Sequence, residues 1–322
     1  MGKLVLVACT NVGRAIIEEM MNNKNIKTEL VGVVNLNAKQ AMAKANYDPY
    51  TDLAIKYHLD IHYCYQINDP DTLSFIASKK PDVILQSGWS QKFGDTLLAI
   101  PKYACIGEHP APLPKGRGAA CVNWAILTGE TAWGDSFFRM VSEYDKGELF
   151  AQKFFGIAKY DTVYTVYEKV AHAAAQTVAV HLDRWSEGRF NAISQDDTKA
   201  TYYKRRRPQD GEITSFHLPA DELHNFIRAQ TKPYPGAYII SGGKKTLFLL
   251  SAVPARRFDG FLPGTVADIT KNGGILLVCK DGEAIELLRV QVEGHPEQWA
   301  CDWARENDLL CRMIILQEDM IS

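Results

Sequence analysis

The chain has 322 residues, 46% of them hydrophobic and 23% charged, a globular composition that excludes disorder, collagen-like repeats and low-complexity scaffolds. Thirty-six Lys and Arg against 38 Asp and Glu leave a net charge of -2, so nucleic acid is not expected as a partner. The seven scattered cysteines lack C-x-x-C or metal-ligand spacing and point to free thiols in a reducing compartment. No apolar run approaches the roughly 20 residues of a membrane helix, and the first residues are too short for a secretory signal, so a cytoplasmic protein without membrane contact is expected.

In chain order, Leu4 to Ala8 is a short apolar run suited to a strand buried on both faces. Asn11 to Met21 follows with Val12, Ile16, Ile17 and Met20 at helical spacing. Further strands are expected at Leu30–Val34, Ile61–Tyr65, Asp82–Gln86 and Ala104–Ile106, with helices at Asp52–Tyr57, Asp71–Ser78 and Thr96–Ile100 between them. That alternation predicts an α/β fold with a doubly wound, mostly parallel sheet, which binds ligands at the carboxyl ends of its strands. Gly13 is the sole glycine in the first strand-helix turn, so G-x-G-x-x-G is not met; G-x-x-x-x-G-K-[ST] and G-x-S-x-G are missing too. An ordinary NAD enzyme, a P-loop NTPase and a nucleophile-elbow hydrolase are therefore disfavoured.

The second half reads differently. Asp161 to Trp185 is a long helix, whose His172 and His181 are too far apart in register to share a metal, and no metal site is expected. Residues 187–211 are polar, carry the basic run Lys204 to Arg207, and read as a linker between a domain over 1–186 and one over 212–322. After a helix at Ala220–Arg228, short runs at Ala237–Ile240, Thr246–Ala252, Gly264–Ile269, Ile275–Val278 and Ala284–Val292 alternate with Gly-rich turns. They predict a smaller, β-barrel-like C-terminal domain.

The most unusual segment is Gly107 to Gly118. Pro110, Pro112 and Pro114 stiffen a loop after a strand, with His109 at its mouth. Thirty-six residues on, Phe137–Val141 is strand-like and ends in the turn Tyr144-Asp145-Lys146-Gly147, so Asp145 also lies at a strand end. Taken singly, each is open to a structural reading: a packed histidine and a turn-forming aspartate.

The loop H-P-x-x-L-P-x-x-R-G from His109 to Gly118, the stretch Asn123 to Ile126, and Met140 through Gly147 resemble the formyltransferases that use 10-formyltetrahydrofolate. Arg205 to Gly211 and Pro233 to Ala237 resemble the hinge and the start of that family's C-terminal domain. The amino-sugar N-formyltransferases are the most similar members, followed by methionyl-tRNA formyltransferase. The resemblance implies 10-formyltetrahydrofolate as co-substrate, a nucleotide-linked amino sugar as acceptor, and compatibility with a homodimer. It implies His109 as general base or acid with Asp145 as its partner, a role that suits an imidazole titrating near neutral pH. Gly88, Trp89, Ser90, Ala111, Pro112, Leu113, Pro114 and Tyr144 are implied at the folate, Arg117 and Tyr234 at the substrate. One position departs: where the family carries Asn two places before the histidine, this chain has Gly107. The lost oxyanion donor is worth about 3 kcal/mol of barrier. Gln86, Ser90, Asn123 or an ordered water are the candidates to replace it, and a weakened folate- and sugar-binding protein is the non-catalytic alternative.

Overall fold

The opening apolar run forms β1 (Lys3–Ala8), with Leu4 to Ala8 fully buried as a central parallel strand requires. In chain order come α1 (Asn11–Asn22), β2 (Glu29–Leu36), α2 (Ala38–Ala41), α3 (Thr51–Tyr57), β3 (Ile61–Cys64), α4 (Pro70–Ser78), β4 (Val83–Ser87), α5 (Asp95–Leu98) and β5 (Ala104–His109). They are followed by β6 (Arg117–Gly118), α6 (Cys121–Leu127), β7 (Ala132–Arg139), β8 (Leu149–Gly156), α7 (Val163–Ser186) and β9 (Tyr202–Tyr203). The computed structural model describes residues 1–42, 44–252 and 256–316.

The chain divides into two compact units. The first comprises Met1–Cys121, Ala132–Gly156 and Val166–Lys204; the second comprises Val122–Thr131, Ile157–Thr165 and the chain from Arg205 on. The stretch read as a linker is thus divided at Lys204, and its first part belongs to the first unit, where β9 pairs with β6.

The first unit is built on a seven-stranded sheet in the order β3-β2-β1-β4-β5-β7-β8, parallel from β3 to β5 and antiparallel thereafter. The order reverses between β1 and β4, and that switch point opens a crevice beyond the carboxyl ends. α1 covers the sheet with Val12, Ile16, Ile17 and Met20, each such buried side chain contributing about 1.5–3 kcal/mol. Of the elements named so far, those absent from the sequence reading are α2, α6, β8 and the short pair β6 and β9.

The second unit contains α8 (Ala220–Arg228), β10 (Ala237–Ser241), β11 (Lys244–Ala252), β12 (Val266–Ile269), β13 (Ile275–Val278), β14 (Ala284–Val292), β15 (Gln298–Trp299) and α9 (Ala300–Glu306). Its antiparallel sheet runs β10-β11-β14-β13-β12, with β15 added to β14. Leu223 and Ile227 of α8 and Trp303 of α9 join Phe248, Ile275, Leu287 and Val290 in one apolar core. Among the described residues, no helix is long and apolar enough to cross a membrane.

Candidate active site

β5 ends at His109, and the proline loop that follows is pinned to the neighbouring strands. Ser136 Oγ donates to the Ala111 carbonyl at 2.6 Å, the Leu113 amide donates to Ser136 Oγ at 3.1 Å, and Gln152 Nε2 donates to the Leu113 carbonyl at 2.7 Å. Trp133 Nε1 closes the far side on the Pro110 carbonyl at 2.8 Å. The loop returns as Gly116, whose carbonyl lies 2.8 Å from His109 Nε2. A carbonyl can only accept, so Nε2 carries a hydrogen.

The other ring nitrogen, Nδ1, lies 3.8 Å from Asp145 Oδ1. Both side chains are largely buried, at 8% and 15% exposure. Burial by itself pulls the His109 pKa down. The Cys121 sulfur, the Asp145 carboxylate and the Gly116 carbonyl outweigh it, and the ring is pushed up to about 10. At neutral pH His109 is therefore an imidazolium, ready to give a proton.

Asp145 sits in the left-handed region, φ 57°, which aspartate tolerates better than most residues. Its Oδ2 accepts from the Gly118 amide at 2.8 Å. Gln195 Nε2 donates to the carbonyls of Asp145 at 2.8 Å and Gly147 at 2.7 Å, while its Oε1 accepts from Arg117 Nη2 at 2.8 Å. Gly147 is confined by close approach, since a Cβ there would lie 1.7 Å from the Arg139 carbonyl oxygen. Arg117, 1% exposed, also donates to Tyr202 at 2.8 Å and pairs with Asp197 at 2.7 Å. Its guanidinium is committed inside the first unit, where Gln195 connects it to the Asp145 turn.

At the switch point, Thr10 Oγ1, Asn11 Oδ1 and Trp89 Nε1 are buried polar atoms without hydrogen-bond partners. They stand just beyond β1 and β4, where such a sheet takes its ligands. Gly88, φ 60°, accepts at its carbonyl from Lys44 and from Cys9 Sγ. Ala111 and Leu113 are buried, Pro112 and Pro114 half-buried, and Ser90 exposed. Tyr144 is 64% exposed, its ring facing the Lys92 ammonium at 5.7 Å. Tyr234 lies in the second unit, half-buried in a turn where its amide donates to the Thr231 carbonyl. Among the described residues, no group of three or more His, Cys, Asp or Glu side chains is placed to hold a metal ion.

Gly107 is the register partner of Gln86 on one side and Phe138 on the other, so these three positions share one face of the sheet. A Cβ at Gly107 would lie 2.6 Å from the Phe138 ring, which occupies the space a longer side chain would need. Of the three candidate replacement donors, Gln86 is adjacent, with Nε2 bonded to the Trp89 carbonyl at 3.2 Å. Asn123 donates to the Ala229 carbonyl within the second unit, and Ser90 faces solvent.

Compared with known proteins, residues 3–181 match the family profile described as formyl transferase, and residues 206–308 match that of the formyl transferase C-terminal domain. The chain belongs to the formyl transferase family. Solved structures with this fold include HypX from Aquifex aeolicus in complex with tetrahydrofolic acid, 16% identical with a TM-score of 0.64. The match covers 94% of this chain but 47% of HypX, so the chain spans about half of that protein. An N-formyltransferase from Helicobacter canadensis, in complex with folinic acid and dTDP-3-aminofucose, is 17% identical with a TM-score of 0.65, over 89% of this chain and 99% of that one. A methionyl-tRNA formyltransferase from Clostridium thermocellum is 18% identical with a TM-score of 0.56, over 79% and 94%.

The sequence reading missed four residues at this site. Gln195 holds the Asp145 turn from within the supposed linker. Cys121 is a hydrogen-bond partner of His109, and Glu108 and Asp135 are buried one residue away from His109 and Ser136 along β5 and β7. The last two left no usable signal, since the expected strands stopped at Ile106 and began at Phe137, whereas β5 and β7 include Glu108 and Asp135.

Proposed function

We propose that this formyl transferase moves the formyl group of 10-formyltetrahydrofolate onto the amine of a nucleotide-linked amino sugar. The observation that carries the reading is His109 Nδ1 standing 3.8 Å from Asp145 Oδ1 at the carboxyl end of β5, in a chain of this family. As the amine attacks the formyl carbon and the bond to N10 breaks, His109 gives its proton to the departing nitrogen and recovers one from the attacking amine. Asp145 orients the ring and stabilises its charged form. The unpartnered Trp89 Nε1 and Thr10 Oγ1 fit a polar ligand at the switch point, with Gly88, Ser90, the 111–114 loop and Tyr144 framing the folate. Arg117 acts on the reaction through Gln195, and Tyr234 is assigned to the nucleobase. The Helicobacter canadensis relative, which holds a dTDP-linked amino sugar, favours this class of acceptor.

The second reading, methionyl-tRNA formyltransferase, is favoured by the Clostridium thermocellum relative and weakened by a net charge of -2, since tRNA binding relies on a basic face. Incubation with 10-formyltetrahydrofolate and a panel of UDP-, dTDP- and GDP-linked amino sugars, with charged initiator tRNA in parallel, separates the two by mass. A formylated nucleotide sugar is the expected product. Formylated methionyl-tRNA alone would overturn the assignment.

A further inference from the structure

Among the described residues, a groove of about 460 Å³ is lined by the second unit alone, which is room for a small molecule. Register sets Leu250 of β11, Arg289 of β14 and Trp299 of β15 in one row across the sheet. Phe248 and Val290 of the same sheet lie in the core, whereas Leu250 and Trp299 are exposed. The ladder between β11 and β14 slips on both sides of Leu250, an irregularity of the kind that re-aims side chains. The loop after α8 adds Lys232 and Pro233 to the lining. Thr231 Oγ1 ties that loop to β11 by donating to the Leu249 carbonyl at 2.7 Å. Tyr164 completes the wall.

Charge converges on one side of this groove. Lys232 Nζ donates to Glu297 Oε2 and Arg289 Nε to Glu297 Oε1, both at 2.8 Å. Lys232 first, and then Arg289, hold the Glu297 carboxyl below the usual range. Two cations on one carboxylate leave a positive charge uncompensated among the lining residues. The Trp299 ring, 4.5 Å from the Arg289 guanidinium, holds that plane in place. Arg289 Nη1 and Nη2 and the Tyr164 hydroxyl have no hydrogen-bond partner among the described residues. Donors thus outnumber acceptors, which calls for an anion, and a guanidinium fork suits two oxygens of one phosphate. Beside that fork, Tyr164, Pro233 and Leu250 offer apolar surface to a flat ring. We propose that this groove binds a nucleoside phosphate, with the phosphate on Arg289 and Lys232 and the base against Tyr164. The site stands independently of the reaction proposed above.

Calorimetric titration of the full chain with AMP, UMP, inorganic phosphate and uridine tests both halves of the ligand. Saturable binding of at least one nucleotide is expected, with phosphate and uridine each weaker by about tenfold or more. Arg289→Gln should weaken nucleotide binding about tenfold and Tyr164→Ala about fivefold. Glu297→Gln makes the sharper demand. It releases both cations from a competing carboxylate and should tighten binding about threefold, whereas a general loss of structure would weaken it. Photocrosslinking of the parent with an azido-AMP, followed by peptide mapping, needs no variant to fold; the adduct is expected on the peptides holding Tyr164 or Pro233. The proposal is overturned by the lack of saturable binding at millimolar nucleotide, by phosphate binding as tightly as nucleotide, by weaker binding to folded Glu297→Gln, or by adducts confined to the first unit. An oligoribonucleotide bound more than about a hundredfold tighter than either mononucleotide would also overturn it, in favour of an RNA surface.

Discussion

The protein buries two histidines and treats them in opposite ways. His224, on α8 of the second unit, bonds Ser251 Oγ at 2.9 Å and the Lys159 carbonyl at 2.8 Å. Burial lowers its pKa, and the facing Lys159 carbonyl and the more distant Asp221 do not reverse that. His109 is comparably buried, yet Cys121 and Asp145 push it up to about 10. Two ring hydrogen bonds and a dry environment therefore do not raise a histidine's pKa; the Cys121 sulfur and, after it, the Asp145 carboxylate do. The first is held neutral by its packing and the second is held charged by its neighbours.

The largest way to break that contrast is to remove the reagent. His109→Ala is expected to lower kcat about a thousandfold while leaving the fold intact; near-normal turnover in a folded variant would refute its role. Asp145→Asn should move His109 part of the way towards His224, with kcat down about a hundredfold and KM for the formyl donor nearly constant. If affinity for the donor falls instead, Asp145 serves binding rather than the proton. Gln195→Ala tests whether the carboxylate must be held: a loss of about tenfold is expected, and little further loss when it is added to Asp145→Asn.

Smaller effects sharpen the picture. Gly107→Asn forces a side chain into the Phe138 ring and should destabilise the protein by about 1–3 kcal/mol without raising kcat. A clear rise in kcat would show that the oxyanion site lacks a donor. Thermal stability against pH is the subtlest measure. The folded pKa of His109, about 10, exceeds its ordinary value near 6.5, so the stability it contributes is complete below that value and is lost as pH rises towards 10. His224 is shifted the other way, and its contribution is lost as pH falls. His109→Gln should flatten the alkaline limb alone, and His224→Gln the acid limb alone; the opposite pattern would reverse the two assignments.

His109 and Asp145 were legible in the sequence because strand ends, three prolines and a Gly-assisted turn mark them locally. The strands and helices of the first unit were legible for a similar reason: buried apolar runs broken by Pro and Gly. Asp135 was hidden because the expected strand began at Phe137, whereas β7 begins at Ala132 and carries the aspartate inside it. Gln195 left no trace, since a polar residue in a polar stretch gains its role from a partner 50 positions away. The space above Gly107 was equally invisible, being set by a side chain on the neighbouring strand. The sequence reading looked for a missing donor there, and the finding is an occupied volume.

The clamp on Asp145 has a consequence for the order in which the protein is made. The seven strands of the first sheet are all complete once Gly156 has emerged, and α7 by Ser186. Gln195, Asp197, Thr201 and Tyr202 come later still, and they hold Arg117, Gly116 and the Asp145 turn. A chain made as far as Ser186 thus has every strand of that sheet, His109 included, before the residue that bonds the carbonyls of the Asp145 turn. The fastening of the Asp145 turn is thus written into the last few residues of the first unit, after every strand of its main sheet.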